Sequence, residues 1–347
     1  MRSYMRWDEQ KVEEELERAL PGYTERAAVR TFDAPEALDT RFYEVRAKSV
    51  LNRVPPKSRM PFEWTVNPYR GCSHACLYCF ARPTHTYLGL DAGRDFEREI
   101  VVKVNAPEVL RAELRRPSWK RQHVAMGTNT DPYQWVESRY RLMPEIWQAL
   151  IDSGTPGSIL TKSPLLLRDI DLMKQVPGIR ANLSIPTMEE KAWRATEPRT
   201  PSPMKRMEAV AALNRAGIPC GILIAPLMPG INDSPEQVAR IIELADQAGA
   251  VDIGGITLHL RGEVKGLFFD WLRDKRPDLL PRYQRLYARG AYAPAQERER
   301  LAKLVNPAGR PRRALRGTAG AAVGQRDPAR PGGGAGERPR EQQQSLF

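Results

Sequence analysis

The sequence predicts an α/β protein whose core is an open, partial (β/α)6 TIM-like barrel, with an N-terminal helical extension and a disordered C-terminal tail. Between residues 61 and 290, short apolar runs alternate with amphipathic stretches, which is typical of βα units and a parallel sheet. Six such units are too few to close an eight-stranded barrel. Polar motifs follow the strands, at the barrel end where functional groups lie.

Four segments are expected along the chain. They are an N-terminal helix and extension (1–60), the barrel core (61–290), a C-terminal helix (291–308) and a basic, disordered tail (309–347). The first helix should cover 8–20 and end before Pro21-Gly22. The six strands are predicted at 64–66, 123–126, 157–161, 180–185, 220–224 and 251–258. The helices are predicted to begin after Cys79 and to cover 144–150, 165–175, 203–216, 235–248 and 268–287.

Charge and cysteine content narrow the functional classes. The 347 residues carry a net charge of +12, of which the tail supplies +5. A basic protein favours nucleic acid or another polyanion, although a general arginine bias would give the same excess. Four cysteines with three clustered do not form a disulfide framework, and the sequence has no long apolar run. We therefore expect a cytoplasmic protein without a membrane partner, and the oligomeric state is left open.

The most informative motif is the spacing C-x3-C-x2-C formed by Cys72, Cys76 and Cys79. Three thiolates can hold a [4Fe–4S] cluster and leave one iron without a protein ligand, so that this iron can bind a small molecule. A structural zinc site is the alternative, with His74 or His85 as the fourth ligand. Zinc ligands more often come as two separated pairs, which favours the cluster.

Five ordered blocks carry a resemblance to a known family. They are 67–72 ahead of the cysteines, 127–134 with Glu137, 161–163 with Arg168-Asp169, 197–202 with Arg206, and 225–233. With the cysteine triplet, they resemble the radical S-adenosylmethionine (radical SAM) superfamily and, within it, the spore-photoproduct-lyase-like branch, often labelled "DNA repair photolyase", with its actinobacterial-type relatives. The resemblance covers roughly residues 48–290.

This resemblance implies an activity and its cofactors. S-adenosylmethionine would bind the open iron and be cleaved reductively to a 5′-deoxyadenosyl radical, which abstracts hydrogen from a substrate. An external electron donor of the flavodoxin or ferredoxin type is implied as a partner. By motif matching, the residues expected near the cluster and S-adenosylmethionine are Tyr78, Gly127, Thr128, Thr130, Lys162, Ser184 and Ala225.

Other polar and aromatic residues near the strand ends have two interpretations each. Asp131 and Glu137 either organise their loop or face substrate, whereas the pairs Arg168-Asp169 and Glu197/Arg199 are expected to brace barrel loops. His259 and Arg261 follow the sixth strand and either contact substrate or are structural. The tryptophans expected to pack rather than stack on a base are Trp135, Trp193 and Trp271.

The chain departs from the photoproduct lyase pattern at one place. That enzyme has a hydrogen-donating cysteine just after the second strand, where this sequence has Thr128. The fourth cysteine, Cys220, begins the fifth strand and is expected to be a buried hydrophobe. We therefore do not expect spore photoproduct to be the substrate, and nucleic acid, protein or a small molecule remain options. The second hypothesis is a non-catalytic, metal-stabilised protein that binds nucleic acid.

Overall fold

The computed structural model describes residues 12–37, 39–55, 58 and 60–306. Residues 8–11 of the expected first helix and the expected disordered tail over 309–347 lie outside the described residues. The strands are β1 (Val12–Arg18), β2 (Ala27–Phe32), β3 (Arg41–Val45), β4 (Leu51–Arg53), β5 (Trp64–Val66), β6 (Tyr69–Arg70), β7 (Glu99–Lys103), β8 (Val124–Met126), β9 (Gly157–Thr161), β10 (Arg180–Ser184), β11 (Cys220–Leu227) and β12 (Ile253–Thr257). The α-helices are α1 (Arg94–Arg98), α2 (Ala106–Leu114), α3 (Glu137–Tyr140), α4 (Leu142–Ser153), α5 (Ile170–Met173), α6 (Glu190–Thr196), α7 (Pro203–Arg215), α8 (Pro235–Gln247), α9 (Glu263–Lys275), α10 (Leu280–Leu286) and α11 (Ala295–Val305).

Seven strands form the barrel sheet, in the order β12-β11-β10-β9-β8-β5-β4. The six strands β5, β8, β9, β10, β11 and β12 run parallel to one another. At one edge, β4 pairs antiparallel with β5. The predicted partial barrel of six parallel strands is therefore confirmed, and β5 and β9 have the predicted bounds.

Local chemistry sets the ends of the barrel helices. Ser202 caps α7 by accepting a hydrogen bond from the Lys205 amide, and Ser234 caps α8 in the same way with Gln237. A proline occupies the first turn of both helices, where a missing N–H costs nothing. Gly217 ends the turn after α7 at φ +83°. These caps fix where the loops above the strands begin.

Three predicted helices differ in detail from the structure. The segment after the cysteines forms a 3-10 helix, Arg82–Leu88, and the expected third helix is divided into a second 3-10 helix, Pro164–Asp169, and the short α5. The stretch predicted as one helix over 268–287 is split into α9 and α10, because Pro277 interrupts it.

The N-terminal extension forms a second sheet, in the order β1-β2-β3-β7-β6. The prediction of a helix over 8–20 is wrong for its described part, since β1 pairs antiparallel with β2, with Val12 opposite Phe32. Pairing with a neighbouring strand overrides the helical preference of a charged stretch. Strands β6 and β7 belong to the core segment of the sequence but pair in this second sheet. Since β6 is Tyr69–Arg70, the sheet ends directly before Gly71 and Cys72.

Helices α9 and α10 pack next to the cysteine loop, and α11 packs on the last barrel strand, β12. The side chains of Phe268 and Tyr283 pack in a cluster with Cys76 and Tyr78, so α9 and α10 lie over the cysteine loop. Helix α11 falls within the predicted segment 291–308 and packs on β12. No helix in the described part of the chain is long and apolar enough to span a membrane.

Candidate functional site

The cysteine loop begins at a tight backbone turn. Gly71 has φ +79°, and a Cβ there would lie 2.8 Å from His85 Cε1 and 2.9 Å from Phe96 O. The Cys72 amide donates a hydrogen bond to the same Phe96 oxygen at 3.0 Å. A side chain at position 71 would therefore push the loop away from its support, which explains the glycine.

Side chains from the loop after β8 brace the cysteine loop. The Ser73 amide donates to Gln134 Oε1 at 2.9 Å, and the Gln134 amide nitrogen donates to Gly71 O at 3.2 Å. Thr130 Oγ1 donates to the same Gly71 oxygen at 2.6 Å. Thr130, predicted as a cofactor contact, thus uses its hydroxyl proton for bracing. Gln134 is not among the predicted site residues, and its sequence signal is its place in the block 127–134.

The three clustered cysteines are free thiols, with Cys72 and Cys76 buried and Cys79 partly buried. Burial raises the pKa of Cys76 well above its usual value and that of Cys79 to about 11, and each thiol senses the charge of its neighbours. Within the described residues, no three His, Cys, Asp or Glu side chains are grouped so as to hold one metal ion. A single zinc ion needs such convergence, with each ligand about 2.0–2.3 Å away, whereas cluster thiolates bind separate irons. The choice between a cluster and zinc stays a prediction.

His74 is directed to a carboxylate. Its Nδ1 lies 3.3 Å from Asp131 Oδ2, and both side chains are buried. Asp131 also accepts hydrogen bonds from Thr161 Oγ1 at 2.6 Å and the Lys162 amide at 2.7 Å. Burial lowers the pKa of His74, but the charges of Cys72 and Asp131 outweigh it and raise that pKa to about 10. Asp131 therefore links the cysteine loop to the end of β9, which favours its organising role.

A second group of side chains lies at the carboxyl ends of β9, β10 and β11. Lys162 Nζ is 2.5 Å from Ser184 Oγ and 3.0 Å from Glu197 Oε1, and it lies 5.7 Å from the Tyr78 ring centroid. Ser184 Oγ donates to Ala225 O at 3.1 Å. Four of the predicted cofactor contacts are thus connected in one network, and one of them, Tyr78, directly precedes Cys79.

Glu197 is the centre of this network, although it was predicted as a loop brace. Its side chain is fully buried, its carboxylate lies 2.7 Å from Arg206 Nη1, and it accepts a hydrogen bond from the Tyr78 hydroxyl. Burial alone would raise the pKa of Glu197, but Arg206 and Lys162 bring it to about 2. One carboxylate thus faces two cations, so the network carries a net positive charge at the barrel mouth.

Arg168 and Asp169, expected to brace a loop, pair with each other, whereas Nη1 of Arg199, the other expected brace, is buried without a hydrogen-bond partner among the described residues. Glu137, whose role was left open between organising its loop and facing substrate, contacts its neighbours. Glu137 accepts from Tyr69 OH at 2.5 Å and pairs with Arg168 at 2.7 Å, and Arg168 also pairs with Asp169. Trp135 packs on Phe32 and Phe42, Trp193 donates to Thr200, and Trp271 packs on Phe268. Glu137 therefore connects β6, through Tyr69, to the 3-10 helix Pro164–Asp169, through Arg168.

The profile of the radical SAM superfamily matches residues 66–245, a range that holds the cysteine loop and, in full, the four parallel strands β8, β9, β10 and β11. The chain belongs to the radical SAM superfamily. An uncharacterized protein of Mycobacterium tuberculosis is 47% identical over 83% of this chain and 86% of its own length. An uncharacterized protein of Methanocaldococcus jannaschii is 31% identical over 55% of this chain and 69% of its own.

Solved structures agree on the fold of this radical SAM protein. Spore photoproduct lyase, in its complex with dinucleoside spore photoproduct, superposes with a TM-score of 0.56 at 16% identity, covering 77% of this chain and 78% of that one. Family membership implies S-adenosylmethionine and an iron–sulfur cluster. The donors present fit both groups: three free thiols on one loop for iron, and the Lys162 ammonium, which donates to Ser184 Oγ, for an anionic carboxylate.

Gly127 and Thr128, also predicted as radical SAM cofactor contacts, lie at the end of β8. Gly127 has φ +81°, and a Cβ there would lie 1.8 Å from Leu160 O, so the residue lets the chain pass β9 closely. Thr128 is half-buried. Contact of these two residues with S-adenosylmethionine stays a prediction. Cys220 is buried at the start of β11, at the opposite end of the strand from Ala225.

Proposed function

We propose that this protein is an enzyme that cleaves S-adenosylmethionine reductively at a [4Fe–4S] cluster and abstracts hydrogen from a substrate. Cys72, Cys76 and Cys79 would ligate three irons. The observation that carries the proposal is that their loop adjoins the cationic Lys162–Ser184 network at the barrel mouth. Reductive cleavage of a sulfonium carbon–sulfur bond to a 5′-deoxyadenosyl radical is the chemistry that the bound groups supply.

Lys162 is the group that would hold the methionine carboxylate, and Ser184 would position the Lys162 ammonium. Lys162 is 15% exposed, so its ammonium is partly desolvated and interacts with an anion more strongly than a surface lysine does. The Glu197 carboxylate holds the Lys162 ammonium in place. It does not neutralise the site, because Arg206 supplies a second cation. Ser184 accepts from Lys162 and donates to Ala225 O, which orients its hydroxyl.

Packing around the loop keeps water away from the reacting groups. Cys76 and Tyr78 are buried under the apolar side chains of α9 and α10. Arg82, itself buried, donates to Cys76 O at 3.0 Å and pairs with Glu97, which ties the loop to α1. A dry, braced loop protects a radical from quenching and a cluster from oxidants.

On this proposal, the electron comes from an external donor of the flavodoxin or ferredoxin type. The chain has four cysteines, and three are committed to one cluster. Cys220 alone cannot ligate a second cluster, so these 347 residues supply no ligand set for an iron–sulfur relay. Nucleic acid is the substrate class that we favour, because the chain is basic and because of the exposed rings described in the next section.

The test compares the alanine variants of two buried cysteines, Cys76→Ala and Cys220→Ala. Full-length protein is reconstituted anaerobically with iron and sulfide, then given dithionite and S-adenosylmethionine, and 5′-deoxyadenosine is quantified by chromatography. Wild type and Cys220→Ala should bind about four irons per chain and release 5′-deoxyadenosine. Cys76→Ala should do neither. An intact cluster in the wild type without any 5′-deoxyadenosine would refute the proposal, as would zinc in anaerobically purified protein.

A further inference from the structure

Three aromatic rings lie in a row beside the last cysteine of the loop. The ring of Phe80, which follows Cys79 directly, lies 5.8 Å from that of His259 at an interplanar angle of 36°. The His259 ring in turn lies 5.7 Å from that of Tyr292 at 26°. We call Phe80, His259 and Tyr292 the mouth platform, because His259 follows β12 at the carboxyl end of the barrel strands.

The mouth platform is held in place by backbone contacts. His259 and Tyr292 form an isolated antiparallel bridge, and the neighbouring Leu260 amide donates to Ala291 O at 2.8 Å. Gly262 packs against Pro83 of the 3-10 helix that follows the cysteines, since a Cβ there would lie 3.5 Å from Pro83 Cγ. The rings are therefore presented by a fixed junction of three loops.

Exposure distinguishes the mouth platform from ordinary core packing. Phe80 and Tyr292 are each 50% exposed, whereas the nearby Phe268, Tyr283 and Tyr287 are fully buried. An aromatic ring left half in water next to a catalytic loop can accept another flat ring on its free face.

The charged residues around the mouth platform are mostly basic. Arg261 donates to the Tyr292 hydroxyl, and its guanidinium carbon lies 5.2 Å above the Tyr292 ring centroid. The two stretches that carry His259 and Tyr292, 259–265 and 287–293, contain the cations Arg261, Lys265 and Arg289 and one acid, Glu263. Exposed rings beside guanidinium groups are the combination that binds single-stranded nucleic acid, in which bases stack on aromatic side chains and cations face phosphates.

We propose that the mouth platform stacks an unpaired base of a single-stranded nucleic acid, with Arg261 beside the adjoining phosphate. The base must be unpaired because neighbouring base pairs cover both its faces inside a duplex. A neutral aromatic peptide would stack on the same rings, but it would not use the surplus of cations. The inference deepens the proposed function, since Phe80 would hold the substrate strand beside the cluster loop.

The test uses fluorescence anisotropy with the full-length, reconstituted protein. The probes are a fluorescein-labelled 12-nucleotide single-stranded DNA and the same strand with its central bases replaced by abasic sites. Both probes have the same phosphates, so the basic tail contributes equally to each. The wild type should bind the base-bearing strand at least about 5-fold more tightly than the abasic one, the lower bound for one stacked base. Phe80→Ala should abolish this ratio, and Phe80→Trp should keep it.

Met60→Ala is the matched control, because Met60 is 52% exposed and precedes β5, at the opposite end of the strands. It should keep the wild-type ratio, and circular dichroism should show all variants folded. Equal binding of both probes by the wild type, or an unchanged ratio in Phe80→Ala, overturns the proposal. Phe80-dependent binding of a tyrosine-glycine peptide without base-dependent DNA binding also overturns it. Because 5′-deoxyadenosine release by the wild type is measured without DNA, failure of the proposed function is seen separately.

Discussion

Replacing Glu197 by glutamine should destabilise the protein strongly. The Glu197 and Arg206 side chains are fully buried and lie 2.7 Å apart, with Lys162 at 3.0 Å on the other side. Glutamine keeps the shape but removes the charge, which leaves a buried guanidinium without its counter-ion. Breaking a buried pair from one side costs about 3–5 kcal/mol. The free energy of unfolding should therefore fall by this amount.

The matched control is Glu190→Gln, on the helix just before Glu197. Glu190 pairs with Arg194 at 2.9 Å, but both side chains are more than 60% exposed, so the loss should stay below about 0.5 kcal/mol. Urea unfolding of the metal-free proteins followed by circular dichroism measures both. With a slope of about 3 kcal/mol per molar, Glu197→Gln should lower the midpoint by about 1–2 M. Similar small shifts for both variants would show that the buried pair does not stabilise the barrel mouth.

The pH dependence follows from the direction of the Glu197 pKa shift. The pKa is about 2 in the folded protein and about 4.3 in an unfolded chain. Its contribution is therefore complete above the unfolded value and is lost as the pH falls toward 2. The difference between wild type and Glu197→Gln should be constant from about pH 6 to pH 8, and a difference that changes there would contradict the assignment.

Three further predictions concern glycines and lysines. Gly127→Ala should lower the thermal midpoint sharply or prevent folding, because its Cβ would lie 1.8 Å from a carbonyl oxygen, whereas Gly266→Ala, in a helix with open space, should raise stability by about 0.5–1 kcal/mol. Burial lowers the pKa of Lys103 to about 7, so wild-type stability should rise by about 2–3 kcal/mol relative to Lys103→Met between about pH 7 and pH 9, as urea unfolding can measure. Calorimetry with S-adenosylmethionine should show at least about tenfold weaker binding for Lys162→Met and no change for Lys174→Met, which alters a half-exposed lysine; unchanged binding in Lys162→Met would exclude the proposed carboxylate contact.

The barrel strands were predictable because short apolar runs bounded by glycine, proline or polar residues can adopt few conformations other than a buried strand. The strand β7 was not predicted, although its sequence Glu-Ile-Val-Val-Lys is apolar, because it interrupts the βα alternation and belongs to the other sheet. The β1 segment has the charged composition of a surface helix, and its state depends on pairing with β2. Both differences come from contacts made by the folded chain and not from local preference.

In the candidate site, too, some residues were predictable from the sequence and others depend on contacts of the folded chain. Lys162, Ser184 and Ala225 were predictable because they lie at or near the carboxyl ends of neighbouring parallel strands, which meet at one place. The contacts of Gln134 with Gly71 and Ser73 join positions about 60 residues apart through a loop whose path no periodicity specifies. The charge of the Glu197 network likewise appears only when burial brings its two cations together.

The position of the cysteine loop between the two sheets has a consequence for how much of the chain is needed to hold iron. Strand β5 ends in the barrel sheet at Val66, and β6 begins in the other sheet at Tyr69, so two residues separate the sheets ahead of the thiols. The cysteine loop therefore leaves the end of the N-terminal sheet at β6, and side chains from the loop after barrel strand β8 brace it. A shortened chain beginning at residue 61 would retain every sulfur donor and the braces from Thr130 and Gln134, but it would lose β3, the strand on which β7 pairs, so β6 and β7 would be left without the rest of their sheet.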